Sequence, residues 1–265
     1  MRSLLNFSDR VVVITGAASG IGAAATDLLL ECGTEVHTLD IAAVVAPVAH
    51  ALPCDMGDPD SIDAAVGLLP DRVDALLNCA GVPNGGRFTP EEVMRINWLG
   101  LRHLTELALP RIVEGGSVVH IASTAGRGWP DRAATMEQLM AAASFADGVG
   151  WIDANLDVCG DGYALSKEAV QYYTLSRSLQ TIEHGVRMNS ICPGITNTAL
   201  VDDFRRGVGA DVLDRATRIA GRMAEPSEMA PALLFLADDA SASYINGVNL
   251  NIDRGTGAAH ATGAW

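Results

Sequence analysis

The sequence predicts a doubly wound α/β fold, a parallel sheet with helices on both faces, and three observations predict it. Short β-branched runs alternate with longer Ala/Leu-rich stretches along the whole chain. The 265 residues are 49% hydrophobic but only 5% aromatic, so the apolar content is mostly aliphatic, as suits strands buried on both faces. A glycine-rich turn, Thr15-Gly-Ala-Ala-Ser-Gly-Ile-Gly22, follows the first β-branched run. No internal repeat or linker interrupts the alternation, so a single domain over 1–265 is expected.

The elements follow in order. Residues 10–15 read as a first strand and 21–32 as the helix after the turn. Residues 34–40 give a second strand, with a weak third at 48–52. Residues 58–69 read as a helix, capped by Asp58 and started by Pro59. A fourth strand is expected at 73–78, a long helix at 89–113 and a fifth strand at 117–122. The helix at 163–184 ends at Gly185, and a sixth strand occupies 186–192. A helix at 226–237 and a last strand at 248–252 complete the pattern.

Charge and cysteine usage narrow the function classes. The net charge is −14 and the isoelectric point about 4.7, which repels phosphate backbones and anionic lipid. Neither nucleic acid nor membrane is expected as a partner. Residues 1–10 lack the apolar core of a secretory signal, and 41–52 is too short to span a bilayer. The five cysteines are scattered without a C-x-x-C pair, which fits reduced thiols and a cytoplasmic location. The six histidines show no ligand spacing, so no metal site is expected.

The turn at 15–22 carries a nucleotide reading. Gly16, Gly20 and Gly22 allow a tight turn and close approach of backbone to a pyrophosphate. The helix start near Ser19 and Ile21 offers free N–H groups and partial positive charge to the same anion. Asp40, ending the second strand, can accept from ribose hydroxyls and repels a 2′-phosphate. No Lys or Arg lies within 31–53 to offset that repulsion, so NAD is expected over NADP.

The chemistry reads from Tyr163-Ala-Leu-Ser-Lys167, which opens the helix after the fifth strand. Positions four apart share a helix face, so phenol and ammonium lie close together. A phenol titrates near 10, and Lys167 together with an oxidised nicotinamide should lower that value. Ser123, just past the fifth strand, is placed to hold the reacting oxygen, where ligands bind in such sheets.

With these motifs in view, the chain resembles the short-chain dehydrogenase/reductase family over essentially its whole length, with the Rossmann fold that this implies. Thr15 to Gly22 matches the family's TGxxxGIG, Tyr163 to Lys167 its YxxxK, and Ser123-Thr-Ala-Gly126 its serine segment. Asn78-Cys-Ala-Gly81 is similar to its NNAG, with Cys79 in place of an asparagine. The resemblance implies catalytic Ser123, Tyr163 and Lys167, with Asn97 helping to hold a proton-relay water. It implies cofactor contacts from Asp55 and Met56 at the adenine, from Asn78, Ala80 and Gly81, and from Pro193, Gly194, Ile195 and Thr196 at the nicotinamide end. Arg254 replaces a glycine common in the family. The activity implied is interconversion of an alcohol with its ketone or aldehyde, by a homo-dimer or homo-tetramer.

Ser123 and Tyr163 lie further apart than in most of the family. The extra segment, about 127–161, holds Trp129, Met136, Met140, Phe145 and Trp151. Either this face packs on the domain, or it walls a pocket for a ring-bearing substrate. Similar insertions occur in 3α-hydroxysteroid dehydrogenase/carbonyl reductases and coniferyl-alcohol dehydrogenases, which implies a cyclic or aromatic alcohol. A second wall is expected at about 198–222, with Leu200, Val201 and Phe204, a region that acts as a lid in the family. The competing reading is a non-catalytic NAD-binding regulator on the same fold. It would need no Ser–Tyr–Lys set. A sugar-nucleotide epimerase would carry a larger C-terminal domain, and an enoyl reductase a wider Tyr–Lys spacing.

Overall fold

The computed structural model describes residues 5–265. Seven strands form one sheet in the order β3-β2-β1-β4-β5-β6-β7, with every pair parallel. They are β1 (Val11–Thr15), β2 (Glu35–Asp40), β3 (His50–Pro53), β4 (Val73–Asn78), β5 (Ile112–Ile121), β6 (Arg187–Pro193) and β7 (Asn249–Ile252). The order reverses at β1, where the connection to β2 runs one way and that to β4 the other. A crevice opens at such a point, beyond the carboxyl ends of the strands.

Two apolar layers sandwich the sheet. One holds α1 (Gly20–Glu31) and α11 (Pro226–Ala237) against Val12, Ile14, Leu77, Val119 and Ile191. The other packs Val13, Leu76, Val118 and Met188 beneath α2 (Pro59–Gly67), α4 (Leu101–Ala108) and α8 (Tyr163–Thr181). α2 starts as its sequence implies: Asp58 accepts from the Asp60 N–H and Pro59 fills the first turn.

The long helix expected at 89–113 is divided. α3 (Pro90–Met94), closed by a capping box of Thr89 and Glu92, runs into a π-helical turn, Arg95–Gly100, before α4. Gly100 allows this turn to lie on the Met56 carbonyl, where a Cβ would collide. The helix then ends at Ala108, and β5 begins five residues earlier than expected, at Ile112. Gly115, with φ of 80°, inserts a bulge, so that Val73 pairs Ile112 whereas Ala75 pairs Ser117.

The insertion folds into 3₁₀ turns over Thr124–Arg132, then α5 (Ala133–Ala141), α6 (Phe145–Ala154) and α7 (Leu156–Cys159). Its aromatic and Met side chains do not wall the cleft. Met136 and Phe145 are buried in the core layer with α8, and Trp129, Met140 and Trp151 pack against it. Trp129 meets Tyr172 edge-on at 5.5 Å. Packing, the first of the two expectations, is what the fold uses. Beyond β6, α9 (Val201–Val208) and α10 (Ala210–Ala220) cross the carboxyl ends of the strands, and α12 (Asp239–Ala242) and α13 (Thr256–Ala261) follow α11. No helix among the described residues is long and apolar enough to cross a membrane.

Candidate active site

A cleft of about 610 Å³ runs along the carboxyl ends of β1, β2, β4, β5 and β6. Gly16 takes φ of 68° and packs its Cα face 2.7 Å, measured from an ideal Cβ, from Ala80. Any side chain there would drive the turn off β4. A Cβ on Gly22 would fall on the Gly16 carbonyl oxygen, so both glycines are needed for the turn to fold against α1. Ser19 stands at the N-terminus of α1 without a side-chain cap bond, so the first-turn N–H groups face the cleft.

The Asp40 carboxylate borders this half. Its Oδ2 accepts from the Ala18 N–H at 2.9 Å and its Oδ1 from the Ala42 N–H at 2.8 Å. Each oxygen keeps a lone pair for a ribose hydroxyl. Among the described residues the cationic side chains lining the cleft are Arg127 and Lys167, and neither is paired with Asp40. Asp55 and Met56 continue the wall; the Asp55 carboxylate is oriented by the Gly57 N–H at 2.8 Å. A backbone cradle that excludes side chains, an uncapped helix start and a fixed carboxylate together fit a dinucleotide.

At the other end the Tyr163 phenol stands beside the Ser123 hydroxyl, close enough for that hydroxyl to favour the phenolate. Ser123 lies two residues past the end of β5 and is oriented by the Ala125 N–H, which donates to its Oγ at 3.1 Å, and by Gln171, which donates to its carbonyl at 2.7 Å. The Lys167 ammonium lies 5.8 Å from the Tyr163 ring centroid and donates to the Ile121 carbonyl at 2.9 Å. Burial holds the phenol up at about 12. The Ser123 hydroxyl works against that rise, and the nearby Asp161 and Cys192 add to it. Burial likewise lowers Lys167 to about 8. The expectation is that Lys167 and an oxidised nicotinamide together lower the phenol; in the chain by itself desolvation dominates, because both groups sit where water is scarce.

The expected contacts divide by position. Gly16, residues 19–22, Asp40, Asp55, Met56, Ala80, Gly81, Ser123, Tyr163, Lys167 and residues 193–196 all line the cleft. The side chains of Asn78 and Asn97 do not. Asn78 turns into the core, donating to Thr105 Oγ1 at 2.9 Å and meeting His120 Nδ1 at 3.1 Å. His120 is pushed down to about 3 by its burial, so it stays neutral there. Asn97, buried in the π-helical turn, bonds both backbone groups of Val82, accepting at 2.8 Å and donating at 2.9 Å. Its Oδ1 lies 3.2 Å, and Lys167 Nζ 3.6 Å, from where a Cβ on Gly81 would be. Asparagine, lysine and the Gly81 backbone are therefore neighbours. Cys79 costs nothing at the strand end, since its N–H and that of Ala80 both donate to Thr15 Oγ1 at 3.0 Å. Arg254 sits in the left-handed region at φ of 49°, which accounts for the glycine common at its place.

Sequence reasoning passed over three positioning groups, Asp161, Gly162 and Asn84, and gave Phe204 only as a wall. Asp161 accepts from the Tyr163 N–H at 3.0 Å and also from the Asn84 carboxamide. Gly162, at φ of 79°, lets the start of α8 lie against the Pro90 carbonyl. Phe204, on α9, meets the Tyr163 ring edge-on at 4.9 Å. The turn-forming run Gly160-Asp161-Gly162 was the available signal for the first two. Among the described residues no cluster could hold a metal, and the five cysteines are free thiols.

Comparison with known proteins agrees with this geometry. A family profile described as short chain dehydrogenase matches residues 10–134, and one described as Enoyl-(Acyl carrier protein) reductase matches 154–257. The chain is 31% identical to a coniferyl-alcohol dehydrogenase from Pseudomonas sp. (strain HR199 / DSM 7063), over 95% of this chain and 98% of that one. It is 30% identical to a 3-alpha-hydroxysteroid dehydrogenase/carbonyl reductase from Comamonas testosteroni, over 94% and 96% respectively. The crystal structure of a 3-alpha-hydroxysteroid dehydrogenase from Pseudomonas sp. B-0831, complexed with NADH, superposes with a TM-score of 0.79 at 27% identity, covering 95% of this chain and 98% of that one.

Proposed function

Because this chain belongs to the short-chain dehydrogenase/reductase family of oxidoreductases, we propose that it is an NAD-dependent dehydrogenase that interconverts a cyclic or aromatic alcohol and its carbonyl form. The observation that carries the reading is the Tyr163 phenol, beside the Ser123 hydroxyl and one helical turn from Lys167, at the far end of a dinucleotide-shaped cleft. NAD held there by the glycine turn and Asp40 would supply the hydride acceptor or, reduced, its donor. Ser123 Oγ holds the substrate oxygen. Tyr163 Oη takes the hydroxyl proton in oxidation and returns it in reduction. The Lys167 ammonium stabilises the phenolate and stands beside Gly81, where it can reach a ribose hydroxyl. Asn97 ties the 82 loop to the π-helical turn and so keeps that wall in place.

The choice of a ring-bearing alcohol is supported by the apolar walls of the substrate half, Phe88, Leu200, Val201, Phe204 and Leu213, and by what the relatives' names say they act on. The complete Ser–Tyr–Lys set weighs against a regulator that only binds NAD. Tyr163→Phe tests the reading: NADH should still bind, while turnover on a panel of cyclic and benzylic alcohols falls at least about a hundredfold. Turnover near the wild-type level would overturn the assignment.

A further inference from the structure

We infer that Arg127 forms an anion subsite at the mouth of the cleft, and that the alcohol this protein acts on carries a carboxylate on its apolar body. The inference rests on the reading of this cleft as an alcohol site, and it adds a charge to the substrate.

The distribution of charge carries it. The chain has 32 acidic side chains against 18 Lys and Arg. In so acidic a protein most basic side chains find a carboxylate, as Arg87, Arg132, Arg177, Arg206 and Arg222 do. Arg127 has none within ion-pair distance among the described residues, although it lines the cleft. The two side-chain carboxylates of that lining, Asp40 and Asp55, are both at the nucleotide end. The side chains of the substrate half are thus apolar or positive in a protein whose net charge is −14.

Arg127 is also held in place. Its Nη1 donates to the Thr124 carbonyl at 2.9 Å. Gly126, the residue before it, is pressed on the Lys167 carbonyl, where a Cβ would come within 2.5 Å. The guanidinium therefore projects from a backbone anchored to the catalytic helix, with most of its N–H donors unused. It lies over the Trp265 indole, 5.9 Å from the ring centroid, and Arg215 of α10 lies over the same indole at 5.6 Å. Arg215 too lacks an ion-pair partner among the described residues. Two guanidinium groups without an ion-pair partner among the described residues thus meet one ring that itself lines the cleft, and a substrate carboxylate beside that ring would be attracted by both. A carboxylate can accept two parallel bonds from Arg127, which fixes its orientation as well as its charge. The walls Phe88, Leu200, Val201, Phe204 and Leu213 lie in the same half of the cleft and suit the hydrocarbon between carboxylate and hydroxyl.

The test is calorimetric and needs no turnover. The full-length protein saturated with NADH, which lacks the positive ring of NAD+, is titrated with benzoate, phenylacetate and 3-phenylpropionate, each against its primary amide. At least one acid should bind about tenfold or more tightly than its amide. Arg127→Gln should bring that pair within about twofold. Arg127→Lys should restore part of the difference, and raising the salt should weaken the acid but not the amide. Arg127 is exposed, and unchanged NADH affinity in each variant confirms its fold. No acid outbinding its amide, or a preference that survives Arg127→Gln, would overturn the inference. Turnover of neutral alcohols, lost in Tyr163→Phe, would then still support the dehydrogenase reading, so the two failures are distinct.

Discussion

Replacing Asp203 by Asn should loosen the cover of the cleft while leaving the nucleotide half intact. Asp203 lies on α9 with its side chain only 3% exposed, paired with Arg87 at 3.3 Å and with Arg206 three residues on. Its own carbonyl is pressed on Gly85, and Gly207 of the same helix on the Asn84 carboxamide; side chains at those glycines would collide. Asn84 in turn bonds Asp161, which orients the first N–H of the catalytic helix. The carboxylate is therefore the charged centre of a clamp that keeps Phe204 against Tyr163. Both arginines are more than half exposed, 62% and 59%, so they can be rehydrated when the carboxylate is lost. That puts the cost between the value of an exposed pair and that of a broken buried one, at about 1–2 kcal/mol. Such a loss raises the population of undocked α9 about 5–30-fold. Hydrogen exchange of peptides covering 201–208 should speed up by that factor, with 163–181 unchanged. KM for the alcohol should rise while NADH affinity stays constant. Unaltered exchange at 201–208 would refute the clamp.

Two further outcomes are expected. Lys167, lowered to about 8 in the folded chain, keeps its proton up to its ordinary 10.5 when unfolded, so its contribution to stability rises with pH between those values. The stability of Lys167→Met relative to wild type in urea should therefore fall between pH 7.5 and 9.5, and a constant difference would contradict the buried charge. Asp40 should make NADH bind more tightly than NADPH in a fluorescence titration, and Asp40→Ser should narrow the gap; equal affinities in the wild type would remove the role given to it.

What was legible in the sequence was what local geometry determines. A strand, a turn that only glycine can make and a helix start are contiguous in the chain, so residues 11–31 could be read directly. Tyr163, Lys167 and Ser123 were legible because helical spacing and strand ends place them. The π-helical turn at Arg95–Gly100 was not, since it continues an α-helical pattern with one residue more per hydrogen bond and leaves no compositional mark. Nor could the insertion's aromatic residues be assigned, because Trp129 and Phe145 are equally suited to a core or a pocket, and only the path of α5 and α6 decides. Asn78 shows the same limit: the motif located the residue, but its side chain answers to His120 and Thr105, far along the chain.

The phenol is where residue spacing alone says least, and the reason bears on the chemistry. Proximity to lysine predicts a lowered value, yet burial holds Tyr163 at about 12 and brings Lys167 itself down to about 8. With the phenol raised in this way, the oxidised nicotinamide expected above would add to Lys167 the second positive charge that favours the phenolate. Oxidised nicotinamide is cationic and the reduced form is not. By linkage, a ligand that favours the phenolate binds more tightly as pH rises through the lowered phenol value, by up to about tenfold per pH unit. Lys167 also loses its proton in this range, and a cation favours that loss, so its effect has the same sign. Affinity for NAD+ should therefore rise between pH 6.5 and 9.5 while that for NADH changes little, and Tyr163→Phe should remove the phenol's share of the slope. Parallel pH profiles for the two forms would mean that the charge needed to free the phenol comes from elsewhere, and Tyr163 would have to be activated by the protein alone.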